Sequence, residues 1–155
     1  MKKRSRLGTA RTERGAAAVE FALIMPILFL ILFAIIQYGL YFWAYQGGSD
    51  AARSAARLGA VGNPVACDDF EDAVKQDIAG VGDETTAEVS RSYEDAGGAS
   101  IAAANVDIGD YVVVDVTFES TDLRIPFLPF VNDGEVNASS RARVDYLNNG
   151  KPEAC

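Results

Sequence analysis

The sequence predicts an α+β protein: a long N-terminal transmembrane helix followed by a small domain in which an antiparallel sheet packs on helices. Three observations lead there. Residues 16–45 are apolar around the whole helical circumference, with Glu20 the only side chain of ordinary charge. Two later stretches, YVVVDVTF and EVNASSRARVDY, alternate apolar with polar residues, the period of a half-buried strand. Between these regions, residues 69–79 carry Phe70, Val74 and Ile78 at four-residue spacing, with acids on the other face, which is the pattern of an amphipathic helix.

A chain of 155 residues has room for one membrane element and one small domain. Its net charge of -8 is unevenly distributed. Lys2, Lys3, Arg4, Arg6, Arg11 and Arg14 crowd the N-terminus against Glu13 alone, and everything after Gly15 is strongly acidic. The basic residues beyond that point are scattered, so there is no electrostatic footprint for nucleic acid. Histidine is absent, which removes the commonest general base and metal ligand. No carboxylate pair, nucleophile–base set, metal-ligand spacing or Gly-rich phosphate loop stands out, so the expectation is a protein that is not an enzyme and has no metal or cofactor.

Thirty helical residues measure roughly 45 Å, more than the hydrocarbon core of about 30 Å. Basic residues before the run and acidic ones after it orient the helix with its N-terminus in the cytoplasm and the domain extracytoplasmic. Tyr38, Tyr41, Trp43 and Tyr45 gather at the far end, either as an interfacial aromatic belt or as core packing. Pro26 predicts a kink or a loosened turn near Ala22. Gly47-Gly48 reads as a bend where the chain leaves the membrane, with Ser49 or Asp50 capping a new start. The following segment, 46–62, is a helical extension whose Ala51, Ala52, Ala55 and Ala56 form a narrow surface and whose Arg53 and Arg57 share one face. Its small-residue side suits close packing against the domain's own sheet.

An ordinary secretory signal has a shorter apolar region and small residues after it. Here the downstream end, YGLYFWAYQGG, is bulky, and the small residues of RGAAAVEF stand before the apolar run. That arrangement suits cutting ahead of the helix and retaining it. Basic leader, glycine, alanines, a glutamate followed by phenylalanine, and a long apolar helix resemble the class III signal peptide of type IV pilins. GAAAVEFALIMPILFLILFAIIQYG is closer still to TadE-like minor pilins or pseudopilins of the tight-adherence (Tad/Flp) system. The resemblance covers about a third of the chain. It implies residues 1–15 as leader, Gly15 as the last leader residue, Ala16 as the new N-terminus, and Glu20 with Phe21 as the positions that serve assembly. It also implies a membrane aspartyl prepilin peptidase, other pilin subunits and the Tad assembly machinery as partners, a structural role in adhesion or secretion, and in some members methylation of the new terminus.

A carboxylate inside a spanning helix costs about 2.5–3.5 kcal/mol near the bilayer centre, so it calls for a partner. Cutting after Gly15 would create one: the α-amino group of Ala16, with an ordinary pKa of about 7.7–8.0, lies roughly 6 Å along the axis from Glu20. In a filament the amine of one subunit would meet the glutamate of its neighbour and fix their register. Pairing within one chain, interaction with the helix dipole, and snorkelling to the headgroups are the other readings.

In the domain, 63–155, residues 59–64 read as a loop, 87–93 as a weaker strand and 94–104 as a loop. LRIPFLPFVNDG cannot be a regular strand because of Pro126 and Pro129, yet it is apolar; it either folds back as a lid on the sheet, the reading we favour, or presents a patch to a partner. Asp133-Gly134 offers a turn into the last strand. Cys67 and Cys155 bracket the domain on the oxidising side of the membrane, as a disulfide closing a loop worth about 4–5 kcal/mol or as two free thiols. Asn137 begins a glycosylation triplet, a match common by chance. The alternative to a pilin-like subunit is a single-pass anchored binding module that never enters a filament.

Overall fold

A computed structural model of the chain describes residues 9–61, 66–126, 128–145, 147 and 153–155. The first element, α1, runs as one helix from Thr9 to Ala60, through Pro26 and through Gly47-Gly48. Helix α2 spans Cys67–Ile78 and buries Phe70, Val74 and Ile78, the residues its spacing selects. Four strands follow: β1 Glu88–Glu94, β2 Ser100–Ile101, β3 Tyr111–Glu119 and β4 Glu135–Arg143. They form one antiparallel sheet in the order β2-β1-β3-β4.

The sheet has a covered face and an open one, as its alternation requires. Val112, Val114, Val116 and Phe118 of β3, Val136 of β4 and Val89 and Tyr93 of β1 point into the core. Against them lies the C-terminal half of α1, whose Ala51, Ala52, Ala55 and Ala56 are buried, together with the apolar stripe of α2. The opposite face carries Glu88, Asp115, Glu119, Asn137 and Arg141. There Arg141 stacks over the Tyr111 ring at 3.8 Å and pairs with Glu94 at 3.2 Å. Asn137 is tied to the Thr117 hydroxyl at 2.6 Å.

Several expectations need correction. Gly47 and Gly48 make no bend; they are contact points. A Cβ on Gly47 would stand 2.5 Å from Val81 Cγ1, and one on Gly48 2.6 Å from Phe118 Cε1, so the absent side chains let the helix backbone press onto the domain. Helix α1 also takes in Gly59 and Ala60, where a loop is expected, and Gly59 packs on Val112, whose Cγ2 would stand 3.0 Å from a Cβ there; residues 62–65 lie outside the described residues. The segment 94–104 is not all loop. It folds into a hairpin whose tip is held by Asp95, which accepts from the Gly97 and Ala99 amides, and continues through β2 and a 3-10 turn, Ala103–Asn105. Strand β4 ends at Arg143; Tyr146, placed on its apolar side by the alternation, lies outside the described residues.

Cys67 and Cys155 are joined in a disulfide, Cα to Cα 5.5 Å, which ties the start of α2 to the chain end. The tail also pairs with the edge of β1: Arg91 and Cys155 exchange both backbone hydrogen bonds, at 3.3 and 3.0 Å.

Candidate functional site

The residues that the sequence marks for function sit on the N-terminal half of α1. From residue 15 to residue 36 every side chain is exposed except Met25 and Ala34, which are half-buried. Large apolar groups dominate this bare stalk, with Phe21 61%, Leu23 70% and Ile27 64% exposed. Helical geometry makes residues 16–36 about 31 Å long, close to the hydrocarbon thickness of about 30 Å. Among the described residues this is one helix long and apolar enough to cross a bilayer, and it is consistent with a single-pass membrane anchor.

Gly15, Ala16, Glu20 and Phe21 lie on consecutive turns of the stalk. Open space surrounds the Cα of Gly15. Glu20 is exposed and has no hydrogen bond or ion pair among the described residues. The structure therefore places the carboxylate on an apolar rod with nothing from its own domain to satisfy it.

The stalk ends where the domain takes hold, at Gln37. This amide is only 2% exposed and both ends of it are used: Nε2 donates to the Thr121 carbonyl at 3.1 Å, and Oε1 accepts from the Leu123 amide at 2.9 Å. One residue on, the Tyr38 hydroxyl donates to the Pro129 carbonyl at 2.9 Å. Tyr41 meets the Phe130 ring edge-on at 5.8 Å. The proline-containing segment therefore folds back, but onto α1 rather than over the sheet; Phe127 lies outside the described residues. Of the four aromatics expected in a belt, Tyr41 belongs to the core and Tyr38 holds the loop, whereas Trp43 and Tyr45 stay about half exposed, beside Phe42 at 61%. An uncharged polar residue in an apolar run was the signal for Gln37, and sequence reasoning passed over it.

It also passed over Arg91, which is fully buried on the covered face of β1 between Val89 and Tyr93. Its guanidinium lies 4.3 Å from the centre of the Phe70 ring, and Nε donates to the Glu153 carbonyl at 2.9 Å. Burial pulls this guanidinium below its ordinary value, while Tyr93 and the carboxylate of Glu153 act the other way. Burial likewise pushes the Tyr93 phenol up, with Arg91 opposing, and the Tyr93 hydroxyl has no hydrogen-bond partner among the described residues. The signal available in the sequence was strand parity, since Arg91 shares its side with two core residues. The arrangement locks the tail to the domain.

Cys67, Cys155 and Glu71 lie close enough together to suggest a metal site, but the two sulfurs are bonded to each other and offer no thiolate. A hollow of about 470 Å³ at the end of the sheet is lined by Asp83, Glu119, Asp122, Arg124 and Asp133. The Thr85 hydroxyl and amide both bond the Asp83 carboxylate and lower its pKa. These bonds belong to the turn that runs from Asp83 to Thr86.

Comparison with known proteins gives a match that begins at Gly15 and runs past the stalk into the packed half of α1. Residues 15–57 match the family model described as TadE-like protein, a match that lies wholly within α1. No curated protein and no solved structure matches this chain.

Proposed function

We propose that this chain, TadE-like over residues 15–57, is a structural minor pilin or pseudopilin of a Tad-type pilus or secretion system, without enzymatic activity. A prepilin peptidase cuts it after Gly15, and the stalk then carries the subunit from the bilayer into a helical bundle. One observation supports this above the others: the stalk is bare of its own domain from Gly15 to Ile36 and carries one carboxylate on its first turns. A simple tether needs an apolar helix but has no use for Glu20.

The physical logic is that an apolar rod can exchange lipid for other apolar helices with little new contact between its surface and water. Glu20 then becomes the position at which that exchange is read. Unpaired in lipid it is costly; opposite the amine of a neighbouring Ala16 both charges are neutralised, and only one axial register achieves this. In this reading the N-terminus is cytoplasmic before extraction and the domain lies outside, in keeping with the basic residues at 2–14 and the acidic domain.

The test is the mature N-terminus, read by mass analysis of protein from cells, for the wild type, Gly15→Ala and Glu20→Leu. We expect a wild-type chain beginning at Ala16, an uncut Gly15→Ala chain, and a Glu20→Leu chain that is cut but enters filaments or co-purifies with other subunits at least tenfold less. A wild-type chain that keeps residues 1–14 overturns the proposal. Normal assembly of the leucine variant removes the register role while leaving the processing intact.

A further inference from the structure

We infer that the loop residues 121–126 and 128–130, together with the exposed flank of α1 at Phe42 and Trp43, form a seat that rests on the outer surface of the bilayer crossed by the stalk. This inference rests on the reading of the stalk as a membrane anchor, and goes beyond it by assigning a lipid-contacting surface to the domain.

The argument begins with height along the helix. Residues 16–36 account for the hydrocarbon thickness, so Gln37 and Tyr38 fall at its outer edge. Those are the two residues that hold the loop, Gln37 through Thr121 and Leu123, and Tyr38 through Pro129. Side chains on a helix lean toward its N-terminus, so the Tyr38 hydroxyl draws Pro129 toward the membrane rather than away from it. The loop is thereby fixed at the boundary, whatever the rest of the domain does.

Its chemistry suits that position. Leu123 is 44% exposed and Ile125 and Leu128 are half-buried, in a segment that folds onto α1 instead of the core sheet. Pro126 and Pro129 bring no backbone N–H to be left without water, and the exposed Arg124, which lines the acidic hollow beside Asp122 and has no ion pair among the described residues, is the cation this loop can offer to lipid phosphate. On the sides of α1 that the domain leaves open, Phe42 and Trp43 are 61% and 52% exposed one to two turns above the hydrocarbon edge, where aromatic rings collect. Apolar groups and a cation within two helical turns of the hydrocarbon edge, continuous with a spanning helix, match the layered polarity of a headgroup region.

The experiment uses the full chain in bilayer discs of phosphatidylcholine and phosphatidylglycerol, with single nitroxide labels introduced at Leu30, Leu123 or Ser92 while Cys67 and Cys155 remain bonded. Ser92 is exposed on the open face of the sheet and reports water. We expect the ratio of oxygen to nickel-chelate accessibility to be highest at Leu30, several-fold above Ser92 at Leu123, and lowest at Ser92. Trp43, the only tryptophan, supplies a label-free readout: bromines near the headgroups should quench it at least twofold more than bromines at the chain ends. A lipid signal at Leu30 with Leu123 matching Ser92 overturns the seat and leaves the anchor standing. A Leu123 label shielded from both reagents overturns it in favour of a protein partner, and an aqueous Leu30 overturns the anchor and the seat together.

Discussion

The two halves of α1 are one uninterrupted helix and yet obey different rules. Before Gln37 the surface is Leu, Ile and Phe, bare on all sides; after it the inward surface is Ala and Gly, covered by the sheet. Large side chains fill space in a medium that adapts to them. Small ones let a backbone approach a surface that is already rigid, which is why Gly48 and Gly59 stand against Phe118 and Val112 at distances a Cβ would close. The difference shows that continuity of secondary structure says nothing about continuity of environment: the same rod is bare and apolar enough to cross a bilayer at one end and a core helix at the other.

The widest separation between the halves should come from phenylalanine truncation. Phe118 is 1% exposed and fills the space under Gly48 and Gly82, so Phe118→Ala should cost about 3–5 kcal/mol. Among the described residues Phe29 stacks on Phe33 alone, at 5.9 Å along the stalk, and Phe29→Ala should change domain stability by under about 0.5 kcal/mol. Urea unfolding of the detergent-solubilised full chain, followed by near-ultraviolet circular dichroism, measures both. Equal losses would mean that the stalk and the domain unfold as one unit.

Glycine substitution sharpens the same contrast with a smaller effect. Gly48→Leu puts a Cβ 2.6 Å from an aromatic carbon and should destabilise by about 1–3 kcal/mol, whereas Gly39 has nothing within 4 Å and Gly39→Leu should gain up to about 1 kcal/mol of helix propensity. Opposite signs in the same unfolding assay are the expected result; destabilisation by both would place Gly39 against a surface as well.

At the boundary itself, Gln37→Leu leaves the Thr121 carbonyl and the Leu123 amide without their side-chain partner. The cost should be about 1–3 kcal/mol, concentrated in the loop. Hydrogen exchange at the Leu123 amide should quicken at least tenfold while that of Val114, in the middle strand, stays unchanged. Uniform change across both amides would show that the boundary supports the whole domain rather than the loop alone.

What could be read from the sequence follows from the range of each signal. The stalk, α2, β3 and β4 were legible because each repeats a local period; Gly15, Glu20 and Phe21 were singled out on a contiguous motif, and their roles rest on the proposed function. Gly47-Gly48 was misread because a glycine pair suits both a bend and a close approach, and Val81 and Phe118, which decide between them, come from elsewhere in the chain. Pro126 and Pro129 excluded a strand without revealing that the loop's target was Gln37. Strand parity pointed to burial of Arg91, but what receives it was illegible for the same reason: Nε donates to a carbonyl at the chain end, brought there by tail pairing and the disulfide.

The smallest effect belongs to Tyr93, and it separates the packed region from the stalk by pH. Burial raises the phenol's pKa in the folded state above the ordinary 10.0, with Arg91 drawing it partly back. The unfolded chain therefore releases the proton first, and the stability linked to Tyr93 is complete below about pH 10 and declines as pH rises through and beyond that value. Tyr93→Phe removes the titration and also a buried hydroxyl that has no partner among the described residues, so at pH 7 it should be neutral to within about 1 kcal/mol. Unfolding curves at pH 7, 9.5 and 10.5 should converge for the phenylalanine variant and fall with pH for the wild type. The bare stalk has no buried phenol and should contribute nothing to this slope; an identical alkaline decline in Tyr93→Phe would assign it to another group and take the pH distinction between the two regions away.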